Sequence, residues 1–324
     1  MIELRLEVED LADTRFAVSP LAEAVLSLRI WLLPGYYVLH LPWLRRARAD
    51  MGDLDIRLLL ALVGPHRTVP DFLATRPDEP VPEFAEELAR VRTVPPAKVA
   101  RDIVAAQVGG RVPALLEEGL GRPGRLRDRI VRLLEDYWET IFVPQWPRML
   151  GVLEADMLYR AQQLTRGGAR ALFADLHPAI AWRRGILRLE VTQPHREQRI
   201  PISGRGLSLM PTLFVKTPGL PLSPNEPPLV QYPARGLATL WEAAPPPPPG
   251  VLADLVGRPK AEILAGLDRP ASTTDLARRL GVTAGAVSQQ LAVLYGAGLV
   301  SRARAGRSVL YARTEMGNDL LRGR

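Results

Sequence analysis

Five consecutive prolines, Pro245 to Pro249, sit inside AAPPPPPG (residues 243–250) and divide the chain. Proline fixes φ, has no N–H and clashes with the preceding helical turn, so the run joins neither a helix interior nor a central strand. It favours extended polyproline II instead. At ~3.1 Å per residue, five prolines make a stiff spacer of about 15 Å. The segments on both sides carry folding patterns, so a spacer is a better reading than a ligand for a proline-recognising partner. The chain therefore divides into residues 1–242, a linker at 243–250, and residues 251–324.

The 324 residues are 47% hydrophobic, enough for a core on each side of the linker. No run of 18 apolar residues occurs, so no membrane span or membrane partner is expected. The start, MIELRLEVED, carries acids where a signal peptide has its apolar core, which places the protein in the cytoplasm. Cysteine is absent, which excludes disulfides, thiolate zinc sites and a cysteine nucleophile. His40, His66, His177 and His195 are scattered without H-E-x-x-H spacing, so no metal site is assigned. A P-loop, a dinucleotide fingerprint and a G-x-S-x-G elbow are all missing, so no cofactor and no catalytic residue is expected.

Net charge is +7. A basic balance suggests a polyanion as partner. Only Lys98, Lys216 and Lys260 of the 42 basic residues are lysines, a bias that a GC-rich genome also produces. Distribution is more informative. Residues 251–324 hold eleven Arg/Lys against six Asp/Glu, and the first 250 residues carry only the remaining +2.

The fold class expected is α+β: a mostly helical N-terminal region, a small antiparallel sheet, and a C-terminal helical unit. IELRLEV alternates apolar and polar residues, the period of a half-buried strand. Residues 10–180 read as helical. Ser19-Pro20 looks like an N-cap with proline at the first helical position, leading a face of Leu21, Val25, Leu28 and Leu32. Further helices are predicted near 53–63, 83–92, 96–108, 125–142 and 145–176, the last with a break at Gly167-Gly168. Residues 185–235 turn to short strands: ILRLEVT, REQRIPI, GLSLM, TLFVK and PPLVQY. SGRGLSL, 203–209, could cradle an anion, but a hairpin turn is the better reading. The densest aromatic stretch is YWETIFVPQW, 137–146. Tyr137, Trp138, Phe142 and Trp146 are the candidate wall of an effector pocket, with core packing as the competing reading.

After the linker, Ile263, Leu264 and Leu267 share one helical face that ends before Pro270. Ser272 is placed as the next N-cap, with Asp275 as its capping-box acid. Leu276, Ala277 and Leu280 form an inner face, and Gly281 supplies a left-handed stop. Val282 is expected to plug the corner. Thr283 caps a further helix with Val287, Leu291 and Leu294 inside. Two short helices crossing around one core make a helix-turn-helix. Outward, the second helix shows Ala284, Gly285, Ser288 and Gln289, slim or hydrogen-bonding and free of acids, as a major groove requires. GLVSRARAGRSVLYAR, 298–313, reads as two strands with Val300 and Leu310 inward and Arg302, Arg304 and Arg307 near the tip. Such a wing contacts phosphates or enters the minor groove. TEMGNDLLRG predicts a last helix from Thr314.

The run STTDLARRLGVTAGAVSQQLAVLYGAGLVSRARAGRSVLYART, within residues 258–321, resembles the winged helix-turn-helix of the ArsR (arsenical-resistance regulator) family. The resemblance implies a cytoplasmic homodimer that binds double-stranded DNA at a palindromic operator and acts as a transcriptional repressor. Site residues implied for DNA are Ser272, Thr273, Arg278, Thr283, Ala284 and Gly285, then Ser288, Gln289, Arg302, Arg304 and Arg307. Departures are Gln290, where members often carry His, and Tyr295-Gly296, where they carry a charged pair. Metal-sensing members have cysteines in the helix matching 273–280, which this chain lacks. GRGLSLMPTLFVKTP and PPLVQYPARGLATLWE resemble the N-terminal region of long, actinobacterial-type members, a region without an established activity. Residues 1–242 are read as a sensing or dimerising domain for an unknown small-molecule effector. The alternative is a small-molecule-binding protein or enzyme whose winged domain serves protein contacts.

Overall fold

A computed structural model describes all residues except 191–197, 222–227, 241–249, 269, 306–307 and 323–324. The proline run and His195 lie outside the described residues. The chain forms two compact units, Met1–Trp241 and Glu242–Arg324.

The first unit contains helices α1 (Val8–Ala12), α2 (Pro20–Leu32), α3 (Leu41–Asp50), α4 (Arg57–Ala61) and α5 (Phe84–Thr93). They are followed by α6 (Pro96–Ala106), α7 (Ala114–Leu120), α8 (Pro123–Tyr137), α9 (Trp146–Ala174) and α10 (Leu237–Leu240). The centre is α2. Ser19 caps it by accepting from the Ala22 amide at 2.9 Å, and Pro20 opens it, as the dipeptide predicts. Every residue from Pro20 to Ile30 is buried, so this is a central helix, apolar nearly all round. Leu32, expected on its inner face, is exposed because the helix leaves the core at its last turn.

The helix expected at 53–63 is shorter and begins at Arg57, whose amide donates to the Asp55 carboxylate at 3.0 Å. The α3 and α7 helices were not anticipated. Between α8 and α9 the chain makes a wide π-type turn at Trp138–Phe142. The α9 helix breaks where predicted: Gly168 has φ 63° and ψ −165°, a conformation that only glycine enters at no steric cost.

The strands form two sheets rather than one antiparallel sheet. In the first unit they are β1 (Ile2–Arg5), β2 (Arg15–Phe16), β3 (Ile180–Arg183), β4 (Ile186–Leu189), β5 (Gln198–Pro201), β6 (Ser208–Thr212) and β7 (Leu229–Pro233). One sheet has the order β3-β4-β1-β5, with β1 antiparallel to β4 and parallel to β5. Ile2 lies opposite Leu189 and Leu4 opposite Leu187, so one face of the alternating pattern seals a core. The other sheet, β2-β6-β7, is parallel throughout, and β6 is buried at every position. Strands covered on both faces lose the alternation that marks an antiparallel sheet.

TLFVK does not continue β6 beyond Thr212. Its backbone is claimed by side chains instead. The Leu213 amide donates to both Glu23 oxygens, at 3.1 and 3.2 Å, and the Leu213 carbonyl accepts from His40 Nε2 at 2.6 Å. Glu23 is buried in α2, and burial pushes its carboxyl up to about 8 from an ordinary 4.5, against the opposing pull of the Leu213 amide. Between those values the unfolded chain binds fewer protons than the folded one, so stability falls as pH rises. The Glu23 contribution is complete only below pH 4.5 and is lost through about pH 8. Glu23→Gln should flatten urea-unfolding stability between pH 5 and 8 by up to about 1.4 kcal/mol per pH unit relative to the parent. Parallel profiles would contradict the assignment. Burial lowers the His40 pKa, and the paired comparison leaves His40 common to both proteins.

A second polar cluster ties α9 to β7. Asp156 accepts from the Tyr232 hydroxyl at 2.8 Å and the Arg235 amide at 3.1 Å, and pairs with Arg160 at 3.4 Å. Arg160 also reaches the Asp175 carboxylate at 2.9 Å.

The second unit comprises α11 (Gly250–Val256), α12 (Arg258–Gly266), β8 (Ala271–Ser272), α13 (Thr273–Leu280), α14 (Ala284–Gly296), β9 (Val300–Ala305), β10 (Ser308–Arg313) and α15 (Glu315–Arg322). Its core joins Leu264, Leu276, Val287, Leu291, Leu294 and Val300. The antiparallel order is β8-β10-β9. Register places Arg313 opposite Val300 and Tyr311 opposite Arg302. Tyr311 therefore shares the inward face of Val300, and Leu310, expected there, lies on the opposite one. A one-residue shift in register exchanges the two faces of a strand. Val282 is half exposed and does not plug the corner.

Candidate nucleic-acid interface

The helix-turn-helix is built by local capping chemistry. Ser272 Oγ accepts from the Asp275 amide at 3.2 Å and donates to Asp275 Oδ2 at 2.6 Å, while the Ser272 amide donates to the same carboxylate at 3.2 Å. These bonds, the Ser272 hydroxyl first, hold the Asp275 carboxyl below its ordinary value. The Ser272 hydroxyl is thereby committed to the cap. Gly281 ends α13 in the left-handed conformation, φ 69° and ψ 29°. A side chain there would be strained, and this turn sets the crossing of the two helices. Thr283 Oγ1 then accepts from the Ala286 amide at 3.3 Å and starts α14.

The α14 helix divides cleanly. Val287, Leu291 and Leu294 are buried, whereas Ala284, Gly285, Ser288 and Gln289 are exposed. Its positive N-terminal end faces outward with no acid nearby in sequence. Residues 276–314 contain no Asp or Glu and six arginines. That acid-free stretch spans the end of α13, all of α14 and both wing strands.

The other predicted contacts are distributed as follows. Thr273 is half-buried at the start of α13. Arg278 is exposed, 3.6 Å from Asp275. Arg302 is exposed but lies over the Tyr295 ring, its guanidinium carbon 4.5 Å from the centroid. It therefore sits at the wing's base beside α14 rather than at the tip. Arg304 lies in β9, its side chain outside the described ones, and Arg307 lies outside the described residues. The Tyr295–Arg302 contact was not anticipated. Only the seven-residue spacing of an aromatic and a cation hinted at it.

The aromatic stretch in the first unit is closely packed. Tyr137 and Phe142 are fully buried, and Trp138 nearly so. Trp138 stacks between Phe84 and Phe142 at centroid distances of 4.4 and 5.2 Å and meets Trp146 edge-on at 4.9 Å. The Tyr137 hydroxyl is hydrogen-bonded to Ser27 and accepts from Trp31 Nε1. None of the four lines the cavity beside Arg29 or the one beside Arg46. Rings this close pack against one another as core side chains do.

Comparison with known proteins assigns both regions. Residues 262–302 match the family described as bacterial regulatory protein, arsR family. Residues 97–238 match a family of unknown function (DUF5937). No curated protein and no solved structure matches the chain. Among the described residues, no helix is long and apolar enough to cross a membrane. Residues 262–302 thus form an arsR-family helix-turn-helix that follows a region of unknown function, and this domain supports a DNA-binding transcription regulator.

Proposed function

We propose that the protein is a homodimeric repressor that places residues 284–289 of each protomer in the major groove of a palindromic operator, and that its N-terminal unit senses a small molecule. The observation that carries the reading is the division of α14. Slim, acid-free residues project from its first turns while its opposite face is locked into the core. Gln289 is positioned to hydrogen-bond an adenine edge bidentately, and Ser288 to reach a base or phosphate. Thr273, Arg278 and the wing arginines supply backbone contacts, giving binding a steep salt dependence. Twofold symmetry of the operator would follow from the dimer.

Gln289→Ala should reduce the preference for operator over random DNA by about 5- to 150-fold, the loss of one base contact worth about 1–3 kcal/mol. Competition binding on the two DNAs measures it. Equal losses on both would contradict a base-reading role.

A further inference from the structure

A cavity of about 250 Å³ lies inside the first unit, between α2, the segment from His66 to Ala74, the end of α6 and the stretch from Val215 to Pro221. Its charged lining is weighted to cations: Arg29, Arg67 and Lys216, against Asp71 and Asp102. Asp102 is already taken by Lys98 at 2.6 Å and Arg101 at 3.4 Å.

Arg29 is the unusual group. It is 8% exposed, on the central helix, and its buried Nε makes no hydrogen bond. Among the described residues no carboxylate pairs with it. Burial depresses the pKa of its guanidinium; Tyr37 opposes that, and the neighbouring Arg67 adds to it. A buried cation without a counter-ion is costly, and proteins seldom retain one that nothing neutralises.

The other two cations are held in place. Arg67 Cζ and Lys216 Nζ each lie 4.4 Å from the centroid of the Tyr36 ring, and Lys216 Nζ donates to the Tyr36 carbonyl at 3.1 Å. Arg67 adopts a positive φ of 59°, uncommon outside glycine, in a turn closed by Gly64 donating to the Thr68 carbonyl at 2.9 Å. Such strain concentrates at ligand sites. The rest of the lining combines apolar Val69, Ala105, Val215, Pro218, Leu220 and Pro221 with polar Tyr37, Thr68, Thr217 and Gln231.

We propose that this cavity binds a small organic acid, with its carboxylate against Arg29, Arg67 and Lys216 and its apolar body against Val69, Val215 and Leu220. The volume equals about eight waters at ~30 Å³ each, room for a one-ring or short-chain acid. Guanidinium groups match carboxylates in geometry as well as charge. An inorganic oxyanion shares the head-group chemistry but leaves the apolar wall unused. The proposal rests on reading the N-terminal unit as the sensor.

The test uses the full chain with monocarboxylates of four to ten carbons, benzoate and hexanoate among them, their neutral amides, and inorganic phosphate. At a hundredfold excess over Kd, at least one acid should raise Tm by about 5–10 °C while its amide does not. Arg29→Met should abolish that shift and leave the ligand-free Tm unchanged or higher, because it removes an uncompensated buried charge. No response to any acid, amides acting as well as acids, or phosphate acting alone would overturn the proposal. So would a fall of several degrees in the ligand-free Tm of Arg29→Met, which would make the guanidinium a packing element. DNA affinity is read in parallel. An acid that binds without changing it supports the site and overturns the sensing role.

Discussion

Leu291→Ala should remove about 2–5 kcal/mol from the stability of the winged unit, more than any surface change in α14. Leu291 is fully buried and packs in the cluster that joins α12, α13 and α14, so truncation leaves a cavity at the crossing of the two helices. In a unit of this size, that loss lowers its unfolding transition by roughly 10–30 °C. Val293 is two residues along the same helix and 56% exposed. Val293→Ala should change stability by less than about 0.5 kcal/mol. Calorimetry of the full chain distinguishes the two. Similar, small shifts for both variants would mean that the α14 face assigned to the core is wrong, and with it the face assigned to DNA.

Asp156→Ala should destabilise the first unit by about 3–5 kcal/mol, because it strips one member from a buried ionic cluster. Arg160 is 1% exposed and loses its i,i+4 partner, while the Tyr232 hydroxyl and the Arg235 amide lose their acceptor. Burial, and then the Asp156 charge, keep the Tyr232 hydroxyl protonated by pushing its pKa well up, so the loss is felt as an unpaired donor. Tm of this unit should fall by roughly 6–15 °C. The double change Asp156→Leu with Arg160→Met should cost less than the single one, since it also removes the buried Arg160 guanidinium, which the single change leaves with the half-exposed Asp175 as its remaining carboxylate. A double variant worse than the single would show that the cluster contributes more than the sum of its desolvated charges.

The winged unit was legible because its signals are local. Ser272 with Asp275, Gly281 and Thr283 act within three or four residues of themselves, and each does in the structure what its chemistry suggests. Ser19-Pro20 and Gly167-Gly168 belong to the same class. What escaped depends on partners distant in sequence. The parallel pairing of β2, β6 and β7 joins segments from residues 15 to 233 without a hairpin turn to announce it. The end of β6 at Thr212 is dictated by Glu23 and His40, far upstream. The face of Leu310 depends on a register that one residue reverses. The aromatic stretch was dense enough to suggest a pocket wall, yet density of rings is equally what a packed core needs. The cavity instead draws on residues from Arg29 to Gln231, none of them distinctive in sequence.

Fluorescence anisotropy measures specific DNA binding through α14 and the wing. The full chain is titrated onto DNA from upstream of its own gene, with a scrambled competitor and a salt series. A preference of at least about a thousandfold for the native fragment is the expected result. Log affinity should also fall linearly with log salt. No binding to either DNA at low salt would contradict DNA binding through α14 and the wing.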